Sequence, residues 1–138
     1  MSTITLKGRE IPLLYTSYEM KTVQEEIAPI NKAIRLVTGR NPEDADDMSM
    51  FGGAEHIGAL AAMVRILGNA GLEESGQEAD LTDKMVLRAL RPNQLVNAID
   101  AVSEAMAEGM KSEIPEEEEK GPVDVTLEQM KKKGTKAN

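Results

Sequence analysis

His56 is the only histidine in the chain, and it stands next to Glu55 in a sequence that contains no cysteine. A single histidine without thiolates cannot complete a structural zinc site of the usual ligand types. A hydrolytic triad would rest wholly on that one imidazole, and Ser17, Ser49, Ser75, Ser103 and Ser112 all lack a nucleophile-elbow context. Asp44, Asp46 and Asp47 invite a calcium reading, the more so because Glu55 is twelfth counting from Asp44. Met48 and Met50, however, stand where such a loop wants oxygen ligands, and its sixth position is Ser49 in place of glycine. A solvated acidic loop fits these residues better. Gly52-Gly53 completes no P-loop pattern and no lysine follows it, so phosphate cradling has no support. These residues predict a protein without catalysis, metal or cofactor, and a His56 that caps or packs.

The elements that would carry such residues follow from patterning. Ile4 and Leu6 alternate with Thr3, Thr5 and Lys7, and Ile11 and Leu13 resume the alternation after Gly8-Arg9, a pair suited to a two-residue turn. A β-hairpin over residues 3–15 is expected, with Pro12 placing its strand at an edge. A lone hairpin is barely stable in water, so it must lie on the helices or on a neighbouring subunit. Thr16-Ser17-Tyr18-Glu19 fits a capping box, and Met20, Val23, Ile27, Ile30, Ile34 and Val37 share one face of the helix that follows. Pro29 falls inside that pattern and predicts a kink or two helices near Ala28, with Gly39 as the stop. Residues 40–53 read as an Asp-rich loop. The next helix, about 54–69, is apolar nearly all round and is the expected central helix, followed by a polar connection from Gly71 to Asp80. Thr82 can cap a short helix bearing Met85, Val86, Ala89 and Leu90, and Pro92 opens a last helix, about 93–111, with Leu95, Ile99, Val102, Met106 and Met110 inward.

The fold class is therefore mainly α: an N-terminal hairpin, a small bundle of about four helices over residues 1–111, and a flexible charged tail over 112–138. With one Phe, two Tyr and no Trp, burial falls to aliphatic side chains at about 1.5–3 kcal/mol each. Nine methionines are shared between core filling, expected of Met63, Met85 and Met106, and adaptable surface, open to Met48, Met50, Met110 and Met130. The absence of cysteine fits a reducing compartment, and no apolar run reaches the roughly 20 residues needed to span a bilayer, Ile57 to Leu67 being interrupted by Arg65. A soluble cytosolic protein with no membrane partner is expected. A net charge of −8 repels phosphate backbones, so nucleic acid is disfavoured, the terminal Lys131 to Lys133 run being the only basic cluster. In the tail, Val123, Val125, Leu127 and Met130 are candidate partner-binding residues that can dock as a short strand or helical turn; the alternative is a purely solvating end.

The segment Ile4 to Leu13, the Ala-rich central helix, Arg91-Pro92-Asn93-Gln94-Leu95 and the closing Val123 to Lys133 together resemble the tail assembly chaperones of long-tailed bacteriophages and prophages. That resemblance covers most of the chain in layout, through motifs that are individually common. It implies a small acidic helical protein that accompanies the tape measure protein in the host cytoplasm, keeps it soluble, helps recruit tail tube protein, and is absent from the mature virion. It also implies that Lys131-Lys132-Lys133-Gly134 can be encoded by a slippery A-rich codon run giving a longer frameshifted product. Self-association is a further expectation. Two rival readings stand beside it: a structural tail or neck component retained in the virion, and a small helical DNA-binding regulator suggested by Arg88, Arg91 and the Pro92-led helix.

Overall fold

In the computed structural model, which describes residues 1–111, the N-terminal alternation forms an antiparallel hairpin of β1 (Thr3–Leu6) and β2 (Arg9–Pro12). Thr3 pairs with Pro12, Ile4 with Ile11, Thr5 with Glu10 and Leu6 with Arg9. The two-residue turn is thus Lys7-Gly8 and not Gly8-Arg9, and both residues have positive φ, 51° and 78°, as a type I′ turn requires. The strands are shorter than the alternation suggests, because past Pro12 the chain leaves the ladder: Leu13 N–H donates to the Ser2 carbonyl and Leu14 N–H to that of Leu67. Ile4, Leu6, Ile11, Leu13 and Tyr15 are all buried, so the period of two persists in burial beyond the paired strands.

Five helices follow, and the fifth arises from the break at Pro29. Helix α1 (Ser17–Glu26) begins with the expected capping box, Thr16 Oγ1 accepting from Tyr18 N–H while Thr16 N–H donates to Glu19 Oε1. Helix α2 (Ile30–Val37) starts after Pro29 with its own rotation, so the single face expected through Ile34 is not continuous. Ala33 and Val37 are buried while Ile34 points outward, 39 % exposed.

Helix α3 (Ala54–Glu74) is the central helix and runs five residues beyond the expected end. The true stop is Gly76, whose N–H bonds the Glu73 carbonyl while Gln77 N–H bonds that of Leu72, a Schellman closure with Gly76 at φ 75°. Gly71 is helical for a packing reason. The backbone of β2 crosses α3 there so closely that a Cβ on Gly71 would lie 1.9 Å from the Pro12 carbonyl oxygen. Leu60, Met63, Val64, Leu67 and Leu72 of α3 are fully buried, with the hairpin, α1, α2, α4 and α5 arranged about them. Thr82 caps the short α4 (Asp83–Ala89), accepting from Met85 N–H at 3.2 Å. Pro92–Gln94 is a 3-10 turn leading into α5 (Leu95–Gly109), which buries Leu95, Ala98, Val102 and Ala105. Met110 lies past the helix and is 74 % exposed, correcting its inward assignment. Among the described residues no helix is long and apolar enough to cross a membrane.

Candidate functional site

His56 sits in the first turn of α3 with no exposed surface. Gly52 N–H donates to its Nδ1 at 2.9 Å, which leaves the ring proton on Nε2. That Nε2 makes no regular hydrogen bond among the described residues. The Phe51 ring packs against it, centroids 4.8 Å apart. Burial pushes the His56 pKa below its ordinary 6.5, and the nearby Val37 carbonyl only partly opposes this. A neutral, sealed imidazole holds the 40–53 loop on the start of α3.

The acidic loop uses its own oxygens. Asp47 Oδ1 accepts from Ser49 N–H at 2.9 Å, Asp47 Oδ2 from the Asn41 amide at 3.1 Å, and Asp44 Oδ1 from Asp46 N–H at 3.1 Å. The bonds from Ser49, then that from Asn41, hold the Asp47 pKa below the usual carboxylate value. Among the described residues no group of three His, Asp or Glu side chains is placed to hold a metal ion.

Arg65, the charge inside the apolar run, emerges from the middle of α3 between two carboxylates. Its Nη2 reaches Glu26 of α1 and its Nε reaches Asp83 of α4, both at 2.6 Å. Burial works against its charge, but the hydrogen bonds to Asp83 and Glu26 outweigh that and raise its pKa. One guanidinium ties the outer helices to the central one.

The surface feature with the chemistry of a binding site is a groove of about 460 Å³ between the hairpin turn and α4. Its floor is apolar, built from Leu6 and Ile11 of the hairpin, Leu81, and Met85 and Ala89 of α4. Its rim is cationic: Lys7 stands in the turn and Arg9 just after it, and Lys84 and Arg88 stand one helical turn apart. Met85 is 44 % exposed, so the structure moves it from core filler to surface, and its unbranched thioether offers an adaptable contact. Met63 is fully buried and Met106 half-buried, as expected of core residues, whereas Met48 is exposed and Met50 half-buried.

The residues expected to bind a partner, Val123, Val125, Leu127 and Met130, lie outside the described residues. Two signals for this groove are present in the sequence. Lys84 and Arg88 at spacing four, beside Met85 and Ala89 at spacing four, put cations and apolar groups on adjoining stripes of one short helix. What no local pattern supplies is the packing of the hairpin turn beside that helix. No family model, no curated protein and no solved structure matches this chain.

Proposed function

We propose that this chain is a tail assembly chaperone of a long-tailed bacteriophage or prophage. In this reading it works in the bacterial cytosol without catalysis or cofactor, holds the tape measure protein in solution, helps recruit tail tube protein, and is left out of the mature virion. The observation that carries the reading is the groove beside α4: an apolar floor with an exposed methionine, ringed by cations, on a body whose overall charge is negative. Such a surface suits an apolar helical client that also carries acidic residues, while the net charge keeps the loaded protein soluble.

Co-expression with the tape measure protein encoded in the same genome tests it. The wild-type chain should raise the soluble fraction of the client several-fold, and Met85→Glu, which places a carboxylate in the groove at an exposed site, should abolish most of that gain without lowering the melting temperature. No gain from the wild-type chain would sink the reading. Mass spectrometry of purified particles separates it from a structural tail or neck component, which would be found there. A salt-dependent gel shift separates it from a DNA-binding regulator.

A further inference from the structure

We propose that the groove between the hairpin turn and α4 is the docking site of this chain's own acidic segment, Glu116–Glu119, so that the protein occupies its own binding groove when no client is present. The competition with a client rests on the function proposed above; the docking itself does not.

Charge is the first argument. Residues 1–111 contain eleven Lys and Arg against seventeen Asp and Glu, yet four of those cations converge on one groove. Arg9 is paired with Asp80 at 3.1 Å, whereas Lys7, Lys84 and Arg88 pair with no carboxylate among the described residues. Beyond Lys111 the chain holds seven carboxylates, and five of them, Glu113 and Glu116–Glu119, fall within seven residues. The complement of the groove is thus part of the same sequence.

Reach is the second argument. The end of α5 lies at the open end of the hairpin, where Gly109 packs against the Tyr15 carbonyl and Lys111 lies near Leu13 and Tyr15. The groove lies at the turn end of the same hairpin. From Leu13 or Tyr15 back to Arg9 is four to six residues of extended chain, about 14–20 Å, and residues 112–119 can span up to about 26–29 Å, so the glutamates can arrive at the rim.

The third argument is strain. Lys7 is the one non-glycine residue with positive φ among the described residues, and it stands on the rim of this groove. Strained positions of this kind cluster at ligand clamps and switch regions.

Because the chain has no cysteine, two can be introduced cleanly into the full-length protein: Ala89→Cys in the groove and Gly121→Cys just past the glutamates, joined by a short bismaleimide. The expected result is a cross-linked monomer whose yield is independent of protein concentration and about tenfold above that of an Asp46→Cys/Gly121→Cys control. Lys84→Glu with Arg88→Glu should cut the yield about tenfold, and converting Glu116–Glu119 to lysine in that background should restore it. If the double reversal lowers the melting temperature, lysines at 116–119 in the otherwise unaltered body must by themselves abolish the cross-link. A yield equal to the control, or indifferent to these reversals, overturns the proposal. Cross-linking found only between molecules and rising with concentration overturns it too, and makes a second copy the occupant.

Discussion

Replacing Gly71 by alanine tests the crossing on which the whole arrangement is built. A Cβ at this position would stand 1.9 Å from the Pro12 carbonyl oxygen, 2.4 Å from its carbon and 3.1 Å from Leu13 N. All three are backbone atoms, so no side-chain rotation relieves the clash. The segment must retreat by more than an ångström, and it is held on both sides: Ile11 is paired to Ile4, and Leu14 N–H bonds the Leu67 carbonyl at 3.1 Å. Losing that hydrogen bond costs about 1 kcal/mol. Lifting Ile11 and Leu13, both essentially unexposed, out of register with α3 adds about 1–3 kcal/mol or more. The better helix propensity of alanine returns about 1 kcal/mol. The net expectation is a loss of about 1–3 kcal/mol, read as a lower urea midpoint at unchanged slope, with a fall in melting temperature of about 4–13 °C.

Two other glycines of α3 calibrate that number. At Gly58 an added Cβ meets nothing within 4 Å, so Gly58→Ala should stabilise by about 0.5–1 kcal/mol. At Gly68 the nearest atoms are side-chain ends, Leu81 Cδ1 at 2.7 Å and Ile11 Cγ2 at 3.1 Å, which can give way, so Gly68→Ala should stay within about 1 kcal/mol of wild type. Should Gly71→Ala fall within about 0.5 kcal/mol of wild type, the close crossing would be wrong and the hairpin would sit elsewhere.

Three further outcomes are expected. His56 has a folded-state pKa below its unfolded 6.5, so the unfolded chain binds the proton first; stability present above pH 6.5 should be lost as pH falls through the folded value, at up to about 1.4 kcal/mol per pH unit. His56→Asn, which keeps an acceptor for Gly52 N–H, should flatten that slope in urea titrations just below pH 6.5, and an unchanged slope would exclude His56 as its source. Lys7→Asn should raise stability by about 0.5–1 kcal/mol in thermal melts, since Asn-Gly suits a type I′ turn, while weakening the tail cross-link. Arg65→Met should cost about 1–2 kcal/mol, a modest figure because Glu26 and Asp83 are about half exposed and screened by water; a double-mutant cycle with Asp83→Asn should return a coupling that shrinks with salt, and zero coupling at low salt would contradict the bridge.

The sequence made visible those features whose cause is local. Thr16 and Glu19 are three residues apart and close a capping box between themselves, and Pro29 breaks a helix through its own ring, so both were legible. The hidden features depend on a distant segment. Gly71 has the look of a stop and Gly76 does the stopping, because what Gly71 accommodates is a strand nearly sixty positions earlier. Ile34 continues the apolar spacing of α1, but the turn at Ala28–Pro29 resets the rotation and delivers Ala33 to the core in its place. Met85 has the type and spacing of a core residue but lies at the surface, because its neighbour Val86 takes the buried position on a helix only seven residues long. The groove joins the hairpin turn to α4 across more than seventy residues, a juxtaposition no window of the sequence contains.

Five described positions have positive φ. Gly8, Gly39, Gly52 and Gly76 fill four of them, as sterics favour, and Lys7 fills the fifth at a cost of about 1–2 kcal/mol. Asparagine or glycine would carry the same turn with less strain, but neither would bring a positive charge to that point. The same choice recurs across the groove, where Lys84 and Arg88 stand one turn apart, exposed, with no partner among the described residues. Ion pairing within the body accounts for Arg65 and Arg9, whereas Lys7 and Lys84 are exposed residues on the groove. A cationic rim that includes a residue held at positive φ suits a negatively charged occupant, and the run Glu116–Glu119 is the densest such group in the chain.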